Sequence, residues 1–344
     1  MTPTLRPSLV NGRCGDPALY VELAHERDAV LFDMGDLSSL SARALLRVRF
    51  VGVSHMHIDH LIGFDTLLRV NVGREARITL LGPPGLAACI GHKLAGYSWD
   101  LVHRYAADLV FEVRELVTSL RVRRTRFRFL DRFRPEELGE ADAPGGVMAS
   151  TPGYAVSAAT LEHHGPCLGF AMTEPAHVNV WRNRVEETGL PVGPWLKPLK
   201  EAVRDGAADS AEISTPSGPR LLSELRHLVS VEAGQKIGYV TDIRDTPANR
   251  AGVATLCAGA DTLFIEASFA AADKARADER AHLTTQAAGE IAATCGARRV
   301  EPFHFSPRYE DDLGRLLAET QAAFRARQVA AMPAAGGIRA AARF

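Results

Sequence analysis

Short apolar runs alternate with segments of helical spacing along the first hundred residues of the chain. The runs are rich in valine, leucine, isoleucine and phenylalanine, as strands are, and the segments between them repeat apolar residues every three or four positions. The predicted strands are Ala18 to Leu23, Ala29 to Phe32, Val48 to Val53 and Ile78 to Leu81, and the predicted helices are Ser38 to Leu46, Leu61 to Leu68 and Leu86 to Leu94. This alternation predicts a layered α/β fold.

A further predicted strand, Leu120 to Leu130, alternates arginine with threonine or phenylalanine. A strand would place Arg124, Arg126 and Arg128 on one face and the residues between them on the other. We favour an amphipathic strand whose basic face is solvated. The alternative is a strip that binds the phosphate groups of an anionic substrate.

Residues 173 to 235 differ in character from the rest of the chain. A predicted helix over Val180 to Thr188 ends at a run rich in glycine and proline, and the segment Asp205 to Pro219 is small, polar and turn-rich. We therefore predict an arm, inserted into a single domain that covers residues 1 to 344. The alternative is a loop packed for stability alone, with Trp195 and Leu199 buried against the body.

Composition limits the classes of protein to consider. The 344 residues, 46% of them hydrophobic, suffice for one large domain or two small ones, and a net charge of −1 provides no general attraction to nucleic acid. Five scattered cysteines without a C-x-x-C pair argue against a disulfide framework and suit a reducing compartment. We find no apolar signal core in Met1 to Val10 and no run long enough to span a bilayer, so we expect a soluble, cytoplasmic protein without a membrane partner.

A loop rich in histidine directly follows the predicted strand Val48 to Val53. It reads His55-Met56-His57-Ile58-Asp59-His60. Imidazole and carboxylate groups are ligands of zinc and similar divalent ions. Because neighbours in a tight turn point in different directions, we predict that His55 and His57 converge on one ion while Asp59 and His60 reach a second. A surface loop that is histidine-rich by chance is the weaker explanation, since loops after buried strands carry function.

A two-metal hydrolase needs more ligands, which we expect at the ends of other strands. Suitable residues are His163 or His164 after Ala155 to Leu161, Asp242 after Lys236 to Thr241, His304 after a strand-like segment, and His282 before a predicted helix over Thr285 to Cys295. One such residue is usually structural, and an isolated aspartate after a strand usually caps a turn. Several at successive strand ends together indicate a metal centre.

In this order, the residues resemble the motifs of the metallo-β-lactamase superfamily and, within it, of ribonuclease Z. The motifs are His55-x-His57-x-Asp59-His60, then Leu161-Glu162-His163 with Cys167-Leu168-Gly169-Phe170, then Lys236 to Asp242, Asp261 to Phe269, His282-Leu283-Thr284, and His304-Phe305-Ser306-Pro307-Arg308-Tyr309. The resemblance covers nearly all the chain. It includes the arm, where Gly189 to Pro194 is similar to the Gly-Pro segment of the ribonuclease Z exosite, which grips transfer RNA.

The resemblance implies an αββα sandwich of four layers, with the site at one edge between the two sheets, and a homodimer. It implies two divalent ions, zinc as the first expectation and manganese or iron as alternatives. One ion would be held by His55, His57 and His163, the second by Asp59, His60 and His304, and Asp242 would bridge them. Family spacing selects His163 over His164, and Glu266 and His282 correspond to an acid/base pair beside the metals.

The expected reaction is metal-assisted hydrolysis of a phosphodiester, and RNA is the substrate that the resemblance suggests. A bridging water would become a hydroxide nucleophile near neutral pH, oriented by Asp59, and His282, supported by Glu266, would protonate the leaving group. Two other hypotheses stand: a hydrolase of a small molecule such as a cyclic nucleotide, lactone or sulfate ester, and a non-catalytic binding protein. The near-zero net charge and the absence of a clear match to the family's N-terminal RNA-holding loop near Asp16 to Leu19 favour a small or unusual substrate. The Gly-Pro arm and the basic residues Arg124, Arg126 and Arg128 favour RNA.

Overall fold

The computed structural model describes residues 4–24 and 26–331, so the ends of the predicted domain, residues 1–3 and 332–344, lie outside it. The chain divides into two units. The first comprises the described parts of residues 1–150, 155–172 and 236–344, and the second comprises residues 151–154 and 173–235. The second unit contains the whole segment that we predict to be an arm.

Two large sheets form the first unit, and their strands are numbered along the whole chain. The eight-stranded sheet has its strands in chain order: β1 (Leu5–Leu9), β2 (Leu19–Leu23), β3 (Ala29–Phe32), β4 (Val48–Gly52), β5 (Ala76–Gly82), β6 (Leu109–Thr118), β7 (Arg121–Arg128) and β8 (Pro135–Asp142). The six-stranded sheet contains β9 (Val147–Ser150), β10 (Ala155–Glu162), β11 (Pro166–Thr173), β16 (Lys236–Val240), β17 (Thr262–Glu266) and β18 (Arg299–Phe303), in the order β18-β17-β16-β11-β10-β9.

Parallel strands in each sheet position the site. In the first sheet β3 to β6 are parallel, and in the second β16, β17 and β18 are parallel. Parallel neighbours end at the same edge of a sheet, so polar residues that follow them along the chain come together in space.

Aromatic side chains join the two sheets. The Phe32 ring of β3 lies 5.4 Å from the Phe170 ring of β11 and 5.5 Å from the Tyr239 ring of β16, measured between centroids. Gly52 in β4 permits this approach: a Cβ there would lie 2.8 Å from the Phe32 ring and 3.1 Å from the Phe170 ring. The sheets therefore pack face to face through a closely fitted aromatic layer.

Helices cover the outer face of each sheet. They are α1 (Ala42–Leu45), α2 (Ile58–Leu61), α3 (Phe64–Asn71), α4 (Leu86–Ala95), α8 (Pro247–Leu256), α9 (Lys274–Arg280), α10 (Thr285–Thr294) and α11 (Leu313–Ala331). Apolar residues of α2 to α4 share a core with the eight-stranded sheet, and those of α8 to α11 share one with the six-stranded sheet. The predicted four-layer α/β architecture is confirmed. Of the helices described, none combines the length and apolarity needed to cross a membrane.

Two predicted helices are wrong in extent. Of the prediction Ser38 to Leu46, only Ala42–Leu45 is helical, because the side chain of Ser41 accepts a hydrogen bond from the amide of Ala44 and begins the helix there. The predicted helix Leu61 to Leu68 is interrupted before α3, where the backbone of Gly63 packs against that of Gly35. A Cβ on Gly63 would lie 2.1 Å from the carbonyl oxygen of Gly35.

The second unit has secondary structure and an apolar core of its own. It contains the antiparallel pair β12 (His177–Val180) and β15 (Val229–Glu232), the hairpin β13 (Glu212–Thr215) and β14 (Gly218–Leu221), and the helices α5 (Arg182–Glu187), α6 (Leu196–Arg204) and α7 (Leu222–Leu225). Trp195 and Leu199 are buried in this core, together with Leu222 and Leu225. The turn-rich segment Asp205 to Pro219 contains the first strand of this hairpin and the turn that follows it.

The chain enters and leaves the second unit side by side. The amide of Glu174 donates to the carbonyl of Gln235 at 2.9 Å, and the amide of Gln235 donates to the Glu174 carboxylate at 3.1 Å. Gly234 allows the two segments to approach this closely, since a Cβ there would lie 2.4 Å from the carbonyl oxygen of Glu174. This paired neck closes a 60-residue excursion of the chain into a compact insertion.

Candidate metal centre

The predicted ligands come together from the ends of four strands. The loop after β4 carries His55 and His57, and the short helix α2 follows it with Asp59 and His60 in its first turn. The remaining three residues, His163, Asp242 and His304, follow β10, β16 and β18. The parallel strands β16 to β18 end at one edge of their sheet, which brings Asp242 and His304 together, and the loops after β4 and β10 bring the other residues to them.

Asp242 belongs to three groups of ligand-type side chains. One of them combines Asp242 with Glu266, His282 and His304, and the other two consist of the predicted ligands. Of these two, one is His55, His57, His163 and Asp242, and the other is Asp59, His60, Asp242 and His304; within each, the potential ligand atoms lie within 4.8 Å of one another. The Oδ2 atom of Asp242 is 3.6 Å from Nε2 of His55, 3.3 Å from Nε2 of His60 and 3.9 Å from Nε2 of His163. One carboxylate is thus shared by both groups.

Buried nitrogen atoms without hydrogen bonds show that these residues fit a divalent cation. The Nε2 atoms of His55 and His60 and the Nδ1 atom of His304 are buried and have no hydrogen-bond partner. His304 Nδ1 lies 2.8 Å from Oδ1 of Asp242, yet the contact lacks hydrogen-bond geometry. Leaving such atoms unpaired costs about 1–3 kcal/mol each, and a bound ion would satisfy them. Imidazole and carboxylate together are a donor set that zinc prefers.

Asp33 fixes the orientation of His60. Its fully buried carboxylate accepts hydrogen bonds from the Ser54 amide at 2.7 Å, the Ser54 hydroxyl at 2.8 Å, the Tyr239 hydroxyl at 2.8 Å and Nδ1 of His60 at 2.9 Å. The last bond leaves Nε2 of His60 directed at Asp242. Our sequence reasoning missed Asp33, although it follows the strand Ala29–Phe32 just as the predicted ligands follow theirs.

His163 is oriented in a similar way by a backbone group. Its Nδ1 atom donates to the carbonyl of Ala281 at 2.8 Å, so Nε2 is the nitrogen that faces Asp242. The side chain of His163 is 4% exposed, whereas His164 is exposed to solvent and belongs to none of these groups. The carbonyl of Ala281 could not have been found from the sequence, because no side chain marks it.

Backbone strain is concentrated at the centre. Six non-glycine residues in the described part of the chain have positive φ angles, and four of them lie here: Asp33 (56°), Asp242 (49°), Ala281 (58°) and His304 (57°). Left-handed conformations cost side-chain-bearing residues free energy and persist where the surroundings enforce them. The fold therefore positions these groups against local backbone preference.

The charges of the centre shift the pKa values of its histidines in opposite directions. Burial and the neighbouring His60 lower the pKa of His55 to about 3, so this imidazole is neutral and free to act as a ligand. Burial opposes protonation of His304 as well, but the charge of Asp242 prevails and raises its pKa to about 10. In the same way Asp33 and Asp242 raise the pKa of His60 well above its ordinary value. The carboxylates thus favour positive charge here, which a metal cation would also supply.

Glu266 and His282 form a pair beside the ligand groups. Nδ1 of His282 lies 3.1 Å from Oε2 of Glu266, whose carboxylate also accepts hydrogen bonds from the Ile243 amide at 2.7 Å and the Ser268 hydroxyl at 2.7 Å. Burial lowers the pKa of His282, but Glu266 outweighs it and the net shift is upward. Glu266 also belongs to a group of ligand-type residues with Asp242, His282 and His304, but its three hydrogen-bond donors favour a role in the support of His282.

A cavity of about 690 Å³ opens beside the centre. Asp59, His282 and His304 line one part of it, and Arg276, Arg280 and Arg308 line another. The volume lies in the range of substrate pockets. Ligand-type residues at the wall of an open cavity suit the binding and turnover of a substrate.

The arginine-rich strand does not contribute to this cavity. Arg126 makes two hydrogen bonds to the carboxylate of Glu136, at 2.6 and 2.9 Å, and Arg128 donates to Asp108 at 2.8 Å. Arg124 donates to the carbonyl of Leu138. Glu136 and Leu138 lie on β8, and Asp108 directly precedes β6. Because Arg126 and Arg128 are paired with carboxylates, the interpretation of a phosphate-binding strip is disfavoured.

Comparison with known proteins adds independent evidence. The chain is 36% identical over 322 residues to a ribonuclease Z of Deinococcus radiodurans, covering 92% of this chain and 94% of that protein. It is 28% identical over 319 residues to a ribonuclease Z of Halorubrum lacusprofundi, covering 89% of this chain and 86% of that protein. The solved structure of the metallo-beta-lactamase fold protein YhfI from Bacillus subtilis aligns with a TM-score of 0.52 at 15% identity over 92% of each chain, a likeness of fold alone. No model of a protein family matches the chain.

Proposed function

Because the chain belongs to the ribonuclease Z family of metal-dependent hydrolases, we propose that it cleaves phosphodiester bonds of RNA at a dinuclear centre around Asp242. The observation that carries this proposal is the shared carboxylate: two groups of ligand-type residues have Asp242 in common. Two ions about 3.5–4 Å apart and joined by a carboxylate form the arrangement that many phosphodiester hydrolases use.

In this proposal, His55, His57 and His163 hold one ion, Asp59, His60 and His304 hold the other, and Asp242 contacts both. Zinc is the first expectation, because imidazole and carboxylate ligands suit it, and manganese or iron are the alternatives. Bound divalent ions would supply a water of lowered pKa and would stabilise negative charge on a phosphoryl oxygen.

His282 is the proposed general acid. Glu266 engages its Nδ1 atom, which leaves Nε2 for the cavity that His282 lines. The raised pKa of His282 keeps the ring protonated over a wider pH range, and a protonated ring can deliver its proton to the leaving oxygen of a cleaved diester. Asp59, which also lines the cavity, would orient the attacking group.

The arm supports RNA as the substrate. Within this unit, a groove of about 620 Å³ is lined by Arg182, Lys197, Lys200 and Arg204, with a single carboxylate, Glu201. Arg182 is paired with Glu186, but the other three have no carboxylate partner among the described residues. A groove with this excess of positive charge suits a phosphate backbone better than a small neutral substrate.

We further propose a homodimer in the cytoplasm. Tyr97 and Tyr105 are each more than 40% exposed and line one pocket together with Trp99, a surface that a second copy of the chain would cover. All five cysteines are free, which suits a reducing compartment. Sedimentation velocity at micromolar concentration tests the dimer; a monomer alone at tens of micromolar would exclude it.

One experiment tests the proposed function directly. The protein, purified without chelator, is analysed for metals and incubated with a transfer RNA precursor that carries a 3′ extension. We expect two divalent ions per chain, cleavage at one internal linkage that yields two RNA fragments, and loss of cleavage on metal removal that zinc or manganese restores. Intact RNA in the presence of a full metal complement, together with turnover of a lactone or sulfate ester, would favour the small-molecule alternative instead.

A further inference from the structure

Two arginines on α9 are directed at the cavity without a partner of their own. Arg276 and Arg280 are exposed and line the cavity beside His282 and His304. Across the described ranges of the chain, neither guanidinium lies within 4.0 Å of a carboxylate oxygen. Arg308, the third arginine of the cavity, differs because it lies over the rings of Phe269 and Tyr309, at 6.0 and 5.9 Å.

The spacing of charges along α9 separates its two faces. Arg276 and Arg280 are four residues apart and therefore adjacent on one face. Lys274 and Asp278 are also four residues apart, on the opposite face, where they form an ion pair at 2.9 Å. On the outer face of α9, Asp278 therefore neutralises the charge of Lys274, whereas on the cavity face the charges of Arg276 and Arg280 remain available to an anionic ligand.

The C-terminal end of α9 is tied to the metal centre. Ala277 is buried, the amide of His282 donates to its carbonyl at 2.9 Å, and the carbonyl of Ala281 accepts the hydrogen bond from Nδ1 of His163. Arg280 immediately precedes this anchored segment. These backbone hydrogen bonds set the position from which both arginine side chains extend toward the cavity.

The cavity offers charge but little surface for base stacking. Its aromatic residues Phe269 and Phe305 are 6% and 1% exposed, so neither presents a ring face to a nucleotide. Three carboxylates, those of Asp16, Asp59 and Glu279, also line the cavity, and none of them forms an ion pair with the arginines in the described part of the chain. Unpaired guanidinium groups without stacking platforms suit a backbone phosphate, which carries no sequence information.

We propose that Arg276 and Arg280 form a phosphate subsite that binds a phosphodiester next to the scissile one and holds the RNA strand in register. This inference rests on the proposed function, since it assigns part of the same substrate. It makes binding at this position independent of base identity. Glu279, on the same side of the helix, would oppose the phosphate and limit the affinity.

The test compares Arg276→Gln, Arg280→Gln and the double variant with the wild type as holoenzymes. Lys274→Gln is the matched control, because it removes one positive charge from the same helix on the opposite face. The substrate is a structured RNA with a single-stranded 3′ extension, and KM, kcat and the salt dependence of kcat/KM are measured. Metal content and melting temperature confirm that each variant is folded.

We expect each arginine variant to raise KM by roughly three- to tenfold, more than it lowers kcat. The slope of log kcat/KM against log salt should fall by about 0.7 for each lost phosphate contact. Lys274→Gln should change neither, and Glu279→Gln should lower KM. Equal KM values and salt slopes for the arginine variants and Lys274→Gln would overturn the proposed subsite. A decrease in kcat with unchanged KM would also overturn it, because the arginines would then contact the reacting phosphoryl group.

A neutral methylphosphonate, placed at one linkage at a time, locates the contact. In the wild type, the methylphosphonate should raise KM when it replaces one particular linkage beside the scissile bond. In the double variant, the same replacement should have no further effect on KM. Effects that simply add would show that the arginines and this phosphate do not interact. If the wild type cleaves no RNA at all, the proposed function fails and the subsite fails with it; if it cleaves RNA but the variants equal the control, only the subsite fails.

Discussion

The hydroxyl of Tyr239 is one step removed from a proposed metal ligand, and its removal measures how far the centre depends on surrounding hydrogen bonds. The hydroxyl donates to Asp33 at 2.8 Å, and Asp33 in turn holds Nδ1 of His60 at 2.9 Å. All three side chains are fully buried. Tyr239→Phe deletes one oxygen atom and keeps the ring that packs against Phe32.

The expected loss follows from the number of donors that Asp33 retains. A hydrogen bond to a charged group contributes about 1.5–3 kcal/mol. Asp33 keeps three of its four donors in the variant, two of them from Ser54, so we expect the lower part of that range, about 1.5–2 kcal/mol of unfolding free energy. For a chain of this size that corresponds to a fall in Tm of about 2–3 °C. Groups that contact a ligand directly change metal affinity by about 10–100-fold, so for this more distant group we expect about three- to tenfold.

Competition with a chromogenic zinc chelator measures the affinity, and scanning fluorimetry of the metal-free protein measures Tm. Tyr20→Phe is the matched control, because the hydroxyl of this buried tyrosine donates to the carbonyl of Ala44 at 3.2 Å, far from any proposed ligand in the hydrogen-bond network. The control should lose less than about 1 kcal/mol and no metal affinity. Equal metal affinities for the two variants would refute the argument that Tyr239 and Asp33 position His60.

Three other predictions concern the metal centre and the arm. Asp242→Ala should reduce bound metal from two ions per chain to less than one, because it removes the shared carboxylate; Asp245→Ala, which breaks a surface pair with Arg250, should retain both, and elemental analysis that finds two ions in each variant would exclude a bridging role. His282→Gln should keep the metals and lower kcat for bis-p-nitrophenyl phosphate by about 10²–10⁴-fold; full turnover would remove His282 from the mechanism. Leu199→Ala should destabilise the second unit by about 2–5 kcal/mol, since the side chain is fully buried in its core, and should increase hydrogen exchange in residues 173–235 without changing metal content; a uniform increase over the whole chain would show that the arm has no core of its own.

The metal centre is more accessible to sequence reasoning than its supporting network. His163, Asp242 and His304 each follow an apolar, strand-like run, and parallel strands end at one edge, so local pattern and general topology together indicate that they meet. Tyr239 lies inside such a run and reads as an ordinary core residue. Its role depends on Asp33, which is 206 positions away, and no local pattern records that contact.

The arginine-rich strand shows a second limit. The alternation from Arg124 to Arg128 correctly predicts β7, whose Phe127 is buried. What the basic face does depends on its neighbours, and the pairing of Arg126 with Glu136 follows from the register between β7 and β8. Sequence alone does not define that register, so both interpretations of the basic face remain open until the sheet is known.

The paired neck at Glu174 and Gln235 makes the arm a replaceable module. Because the chain leaves and returns at adjacent positions, the intervening residues can lengthen, shorten or be exchanged without altering the spacing that the flanking strands β11 and β16 require. Under the proposed function, an exchange of arms between relatives at this neck would replace the basic groove and leave the proposed metal ligands in place. Substrate range and reaction type can therefore change separately in this architecture, the first by insertion or recombination at one hinge and the second only by substitution at the strand ends.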